Sequence, residues 1–177
     1  MLDSLITSKT RVKLLLKFFL NSNTTSYLRD LEDEFGESTN AIRLELNRFE
    51  NAGMLQSEVS GNKKIFKANT THPLFSDLHN ILLKYTGIDQ IIEKVISRLG
   101  GVAQAYVTGR LARGTDSPVI DICIVGTGID KIYLTNLVEK TEKLLQRKIR
   151  HIVISPAEAE AFLQSYPEAL LLWKNGD

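Results

Sequence analysis

The spacing of the apolar residues changes near residue 54, and this change limits the folds open to the chain more than any other feature. Before it, the segments at residues 10–20, 26–36 and 38–53 carry apolar residues at helical intervals and end in polar or glycine breakers. After it, residues 54–59 and 63–68 have the character of two strands joined by a tight turn. The sequence therefore predicts three short helices followed by a β-hairpin.

The second half of the chain alternates between helix and strand. Pro73 opens a helical stretch at residues 74–85, which we interpret as a connector, and strands are predicted at residues 102–108, 119–125 and 149–154. Further helices are predicted at residues 88–99, 133–145, 156–166 and 167–173. We expect an α+β chain with a first domain at residues 1–72, a connector helix at 73–87 and a small α/β domain at 88–177.

Composition limits the classes of partner. The 22 Lys and Arg residues nearly balance the 21 Asp and Glu residues, so a nucleic-acid site would depend on local clusters of positive charge. The one cysteine, Cys123, lies in an apolar run and is expected to be a buried thiol in a reducing compartment. No leader peptide and no window of about 20 apolar residues is evident, so a cytoplasmic protein without a membrane partner is expected.

The third predicted helix carries side chains that suit DNA on the face opposite its apolar stripe. An arginine can pair with guanine, an asparagine with adenine and an exposed leucine with a thymine methyl, while hydroxyl groups suit phosphate. The candidate residues on the helix are Ser38, Thr39, Asn40, Arg43, Leu44 and Asn47, and those on the hairpin are Lys63, Lys64 and Lys67. Glu45 near this face argues against the assignment, and the alternative is an ordinary solvated surface.

The order of these elements resembles a known class of regulator. Helix, helix, capped helix, the phrase Phe49-Glu-Asn-Ala-Gly-Met-Leu55 and a basic hairpin resemble the winged helix-turn-helix repressors of the ArsR and MarR type over about residues 8–72. The resemblance implies DNA as a partner, with the hairpin as the wing, and a homodimer, because one short helix reads few base pairs. Winged helices also serve as protein-binding modules. With His72 and His79 but no cysteine in this half, metal sensing is not expected.

A second resemblance lies in residues 106–126. They look like the signature of the small nucleotidyltransferases of the DNA polymerase β superfamily, which runs Gly-Ser, a spacer, Ala-Arg-Gly, a loop and Asp-x-Asp before an apolar strand. Gly109, Ala112, Arg113, Gly114 and Asp121 match this pattern.

The sequence departs from this pattern at positions whose side chains metal-assisted nucleotide transfer requires. Arg110 replaces the serine, Val119 replaces the first aspartate, and residues 148–155 offer no third carboxylate. The resemblance thus implies a domain without catalytic residues, metal or cofactor, with Mg²⁺ needed only if transferase activity is retained. The predicted nucleotide or anion site consists of Gly109, Arg110, Arg113, Gly114 and Asp121.

Together these features predict a DNA-binding transcriptional regulator whose second domain senses a nucleotide or anion or serves as a scaffold. The alternatives are an active nucleotidyltransferase recruited by its winged helix, and a winged-helix module that binds another protein. His151 could line the anion pocket, although a structural role is the simpler interpretation, and Trp173 is expected in the core or at a dimer contact.

Overall fold

The chain folds into two compact units that divide between Tyr85 and Thr86 in a computed structural model, which describes residues 2–176. One unit contains a three-stranded sheet and the other a four-stranded sheet, and helices accompany both. The α+β fold class is therefore confirmed. Within the described residues, no helix combines the length and apolar character that crossing a lipid bilayer requires.

The N-terminal unit is mainly helical and carries one hairpin. Its elements are α1 (Leu2–Leu5), α2 (Lys9–Leu15), a π-helix (Leu16–Leu20), β1 (Thr25–Tyr27), α3 (Leu28–Phe35), α4 (Thr39–Asn51), β2 (Leu55–Ser60), β3 (Lys63–Ala68) and α5 (Phe75–Thr86), whose last residue belongs to the second unit.

Local signals in the sequence set the ends of α3 and α4. Gly36 and Gly53 follow these helices with φ of 61° and 70°, in the left-handed region that favours glycine. The Ser38 hydroxyl accepts a hydrogen bond of 3.2 Å from a backbone N–H in the first turn of α4, so it caps the helix as predicted. The predicted helical segment begins at Ser26, but Ser26 lies buried in β1 opposite Phe66, because this segment pairs with the hairpin before the helix begins.

The sheet of this unit ties the hairpin to α3. Its order is β1-β3-β2, with both pairs antiparallel. Ser60 pairs with Lys63, which leaves a two-residue turn with Gly61 at φ 61°. Tyr27 pairs with Ile65 and is also the residue directly before α3. The hairpin and the start of α3 are thus joined through one short strand.

The π-helix supplies much of this unit's core. Phe18, Phe19 and Leu20 are fully buried, and the wider helical turn also brings Lys17 inside, where its Nζ lies 2.6 Å from Glu34 Oε2. The ring nitrogen Nδ1 of His79 lies 2.8 Å from the Phe19 carbonyl oxygen. His79 therefore has a structural hydrogen bond within this unit.

The C-terminal unit alternates helix and strand around one mixed sheet. Its elements are α6 (Ile88–Lys94), a 3₁₀ turn (Ile96–Arg98), β4 (Val102–Thr108), α7 (Gly109–Ala112), β5 (Val119–Gly126), α8 (Lys131–Leu145), β6 (Lys148–Ile154), a second 3₁₀ turn (Pro156–Glu158), α9 (Ala159–Ser165) and β7 (Leu170–Lys174).

This sheet has the order β6-β5-β4-β7, in which β5 and β6 are parallel and the other pairs are antiparallel. The prediction of a helix at residues 167–173 is wrong, since β7 is a strand that pairs with β4 and places Trp173 opposite Ala105. Pairing along the open edge of β4 satisfies the backbone of a run of leucines whose sequence has no helical period.

One face of the sheet is covered near the C-terminus. Buried Tyr106, Cys123, Val125 and Ile154 form a core cluster, against which α9 packs through Phe162 and its neighbours. Burial raises the pKa of the Cys123 thiol to about 11. Cys123 is thus an inert core residue, in agreement with the expectation from its apolar neighbours.

Candidate functional sites

The first candidate site is a cleft of about 540 Å³ between α3, α4 and the β2–β3 hairpin, which we call the N-terminal cleft. Five of the residues predicted to contact DNA line it, two from the hairpin and three from α4. The complete lining is Tyr27, Leu28, Arg29, Glu32, Thr39, Arg43, Leu46, Asn47, Asn62, Lys63, Lys64 and Phe66. Four cations and one carboxylate therefore face this cleft.

The two faces of α4 separate packing from solvent. Ile42, Leu46 and Phe49 are buried, which follows from their spacing of three and four residues. Arg43 and Asn47 lie on the opposite face and are exposed. The remaining candidates of this helix that do not line the cleft are Ser38, Asn40 and Leu44, all exposed.

Glu45 lies on the packed side of α4, not beside the candidate DNA residues. Its carboxylate accepts hydrogen bonds from Arg11 Nε at 2.9 Å, Arg48 Nη1 at 2.9 Å and the Ser8 hydroxyl at 3.2 Å. Burial alone would raise the pKa of Glu45, but these hydrogen bonds and the arginine charges hold that pKa below its usual value. The objection that Glu45 raised against a DNA-binding face is removed.

The three hairpin lysines differ in their surroundings. Lys63 Nζ lies 3.9 Å from the centre of the Tyr27 ring. Lys64 Nζ lies 2.7 Å from Glu50 Oε2, whereas Lys67 Nζ lies 3.8 Å from Glu58 Oε2 and does not line the cleft.

Sequence reasoning missed three polar or aromatic residues of this cleft: Tyr27, Arg29 and Asn62. Tyr27 and Arg29 lie around the start of α3, which begins at Leu28 and not at Ser26 as the spacing of apolar residues predicts. The three-residue strand β1 is too short for an alternating pattern to reveal it. Asn62 could have been found as the turn residue before Lys63.

The second candidate site, the C-terminal cleft, has a volume of about 390 Å³. It is lined by the end of β4, the first half of β5, the middle of β6 and the region of α9. Its lining is Thr108, Gly109, Asp121, Ile122, Arg150, His151, Ile152, Phe162 and Tyr166. The rings of Phe162 and Tyr166 stack at 4.5 Å between centroids and form an aromatic wall.

Asp121, the carboxylate of this cleft, is paired with an arginine. The parallel register of β5 and β6 places Asp121 beside Arg150, whose Nε donates a hydrogen bond of 2.6 Å to Asp121 Oδ1. The same contact raises the pKa of Arg150. Gly109 approaches Asp121 so closely that a Cβ atom there would lie 2.8 Å from Asp121 Oδ2, and its φ of 67° also favours glycine.

The predicted anion-site residues do not all come together. Gly109 and Asp121 line the C-terminal cleft, but Arg110, Arg113 and Gly114 do not. Arg113 Nη2 instead lies 3.1 Å from Glu168 Oε1, and Arg110 is exposed. Buried Gly114 donates its N–H to the carbonyl of the third residue before it. The basic residues that do line the cleft, Arg150 and exposed His151, come from β6.

The residues of this cleft do not fit a magnesium ion. The side chain of Val119, at the start of β5, has no ligand atom, and Asp121 is engaged by a guanidinium that would repel a cation. Among the described residues, no group of three His, Cys, Asp or Glu side chains is arranged to hold a metal. The arrangement suits an anion held by Arg150 better than a metal-assisted transfer.

Comparison with known proteins assigns no family. The sequence matches no protein-family model and no curated protein. Among solved structures, a protein from Archaeoglobus fulgidus is 18% identical over 52% of this chain and 98% of its own, with a TM-score of 0.38.

Two further structures show similarity of the same order. A mutant MntA–HpeT toxin–antitoxin complex is 20% identical over 50% of this chain and 73% of its own, with a TM-score of 0.40. A candidate nucleotidyltransferase from Sulfolobus solfataricus is 24% identical over 54% of this chain and 83% of its own, with a TM-score of 0.36.

Proposed function

We propose that the chain is a DNA-binding transcriptional regulator whose N-terminal unit acts as a winged helix-turn-helix. The observation that carries the proposal is that Arg43 and Asn47 of α4 share the N-terminal cleft with Lys63 and Lys64 of the hairpin. A helix with exposed polar side chains beside a basic hairpin offers base contacts and phosphate contacts together.

Each side chain has a role that its chemistry supports. Arg43 pairs with guanine and Asn47 with adenine in the major groove, while half-exposed Leu44 contacts a thymine methyl. Ser38, Thr39 and Asn40 at the start of α4 and the basic hairpin contact phosphates. The protein acts as a homodimer, because a second copy of this short helix supplies the remaining base pairs of a specific site.

The C-terminal unit acts in this proposal as an inactive nucleotidyltransferase-like domain that senses an anion or serves as a scaffold. The pairing of Asp121 with Arg150 and the apolar side chain of Val119 support the loss of catalysis. A nucleotide or another anion binds at the C-terminal cleft near Gly109, with Arg150 as the nearest cation. We place the protein in the cytoplasm, where DNA and nucleotides are both present.

Selection of binding sites from random duplex DNA by the full-length protein tests the proposal. We expect a preferred sequence with two related half-sites about one helical turn apart, and an affinity that falls steeply as salt concentration rises. Enrichment of no sequence, together with binding that is absent at 50 mM salt, would show that this face is not a DNA site.

A further inference from the structure

The four cations that line the N-terminal cleft differ in how far the protein itself neutralises them. Within the described residues, the side chains of Arg29 and Arg43 have no ionic or hydrogen-bond partner. Lys64 forms an ion pair with Glu50 at 2.7 Å, whereas Lys63 lies over the ring of Tyr27 at 3.9 Å. Lys64 Nζ also lies 5.1 Å from the centre of the Phe66 ring. The two neighbouring lysines therefore differ in that only Lys64 has a carboxylate partner.

Strand geometry explains this division. Successive residues of β3 point to opposite faces of the sheet, so Lys63 and Lys64 meet different partners. Tyr27 pairs with Ile65, and Lys63 is two residues before Ile65 on the same face, which makes Tyr27 its diagonal neighbour on the adjacent strand. Lys64 is on the other face and meets Glu50 in the last turn of α4.

The two contacts have different consequences for an incoming anion. A tyrosine ring restricts the motion of a lysine but carries no net charge, so the ammonium group keeps its full charge and its free N–H donors. A carboxylate cancels the charge of its lysine and competes with a phosphate for the same donors. Lys63 is therefore held in place and free to bind an anion. Lys64 is also held in place, but its charge is already neutralised by Glu50.

We propose that Lys63 is the phosphate-binding cation of the hairpin, that Tyr27 is the residue that positions it, and that Glu50 withholds Lys64 from the ligand. The ligand is a DNA phosphodiester, so the inference rests on the proposed function. Arg29 and Arg43 complete the positive lining. Glu50 lowers the affinity for DNA, because it neutralises Lys64. Removal of the Glu50 charge then strengthens DNA binding, because it frees Lys64, which is already present in the cleft.

The test measures binding of the full-length protein to a fluorescein-labelled duplex by anisotropy at several salt concentrations. Each phosphate contact contributes roughly 0.9 to the slope of log affinity against log salt. We expect Lys63→Gln to flatten this slope by about 0.9 and Lys64→Gln to leave it unchanged. Glu50→Gln should steepen the slope by about 0.9, and adding Lys64→Gln to that variant should reverse the gain.

Two matched variants separate these roles from general effects. Glu58→Gln removes a carboxylate from a similar pair with Lys67, which does not line the cleft, and should leave the slope unchanged. Tyr27→Leu should lower affinity roughly threefold by freeing the Lys63 side chain, whereas Tyr27→Phe keeps the ring and should bind like the unmodified protein. Thermal unfolding of every variant identifies losses caused by misfolding.

The outcomes distinguish the two proposals. If the unmodified protein binds no DNA, the proposed function fails and this inference fails with it. If it binds, but Lys64→Gln reduces the slope as much as Lys63→Gln, the assignment of Lys63 and the role of Glu50 are wrong while the DNA site stands. If Tyr27→Phe loses as much affinity as Tyr27→Leu, Tyr27 does not act through its ring.

Discussion

Both clefts of this protein contain arginine, but they differ in whether the arginine side chains are paired with carboxylates. In the N-terminal cleft, Arg29 and Arg43 have no ionic partner within the described residues. In the C-terminal cleft, Arg150 pairs with Asp121 at 2.6 Å. Elsewhere in that unit, Arg113 pairs with Glu168 at 3.1 Å and Arg147 with Asp116 at 2.6 Å.

This difference indicates which cleft has unneutralised positive charge to offer to an external partner. An unpaired cation gains an interaction when a phosphate arrives, whereas a paired cation must first give up or share its carboxylate. A polyanion would therefore gain more from the arginines of the N-terminal cleft. A ligand of the C-terminal cleft would have to compete with Asp121 for Arg150.

The largest expected effect concerns the unpaired cations. Arg43→Ala should weaken specific DNA binding by about 1–3 kcal/mol and relax the preference at one base pair, because a bidentate contact with a base is lost. Anisotropy with the selected site and with single-base variants measures both effects. Arg48→Ala is the matched control, since Arg48 is on the same helix but pairs with Glu45. Equal losses in both variants would contradict the comparison.

A second prediction concerns the paired cations of the same unit. Glu45→Gln should lower the free energy of unfolding by about 1–2 kcal/mol, because the charge that engages Arg11 and Arg48 on the packed side of α4 is removed. Hydrogen exchange of the α4 amides measures this in the N-terminal unit, while fluorescence of the single tryptophan, Trp173, reports the other unit.

The pH dependence of the same variant supplies a check on its cause. Since the pKa of Glu45 is lowered in the folded state, its contribution is present above its usual pKa and is lost as the pH falls through the lowered value. Glu45→Gln should therefore flatten the acid side of the stability profile. Glu58→Gln, at an exposed pair, should change neither stability nor the profile. If stability falls at low pH as steeply in Glu45→Gln as in the unmodified protein, other carboxylates cause that fall.

A third, smaller effect concerns the C-terminal cleft. Arg150→Gln should weaken binding of ATP or pyrophosphate by about threefold to tenfold, since it removes the nearest cation and leaves Asp121 unpaired. Calorimetry with and without Mg²⁺ should give the same affinity, because the cleft has no ligand set for the metal. The double variant Arg110→Ala/Arg113→Ala is the comparison, and a larger loss there would return the anion site to that loop.

The smallest expected effect is an absence of turnover. With labelled ATP and either Mg²⁺ or Mn²⁺, the unmodified protein should transfer no nucleotide, because Val119 supplies no carboxylate and Asp121 is engaged. Arg150→Gln frees Asp121 and should still be inactive. Turnover by the unmodified protein that disappears in Asp121→Asn would restore the enzyme interpretation.

The sequence predicted most elements of the fold because their signals are local. Helix ends followed from Gly36, Ser38 and Gly53, and the strand at residues 102–108 followed from its own apolar run. The strands β1 and β7 were missed, because one is three residues long and both depend on partners distant in sequence.

The sites were less predictable for a related physical reason. Arg43 and Asn47 could be placed on an exposed face by helical spacing alone. The pairing of Asp121 with Arg150 depends on strand register across 29 residues, and the burial of Glu45 depends on Arg11, 34 residues away. Neither contact can be inferred from spacing along the chain. The sequence therefore suggested Arg110 and Arg113, which are close in sequence, as neighbours of Asp121.

The direct passage from β1 into α3 has a consequence for the thermodynamics of association. Tyr27 ends the strand that pairs with the hairpin, and the next residue begins the helix, so no flexible linker separates them. Conformational entropy that a loose hairpin would lose upon association is instead lost during folding. DNA binding should then show little of the enthalpy and heat-capacity change that accompanies coupled folding. Titration calorimetry at several temperatures would measure both changes.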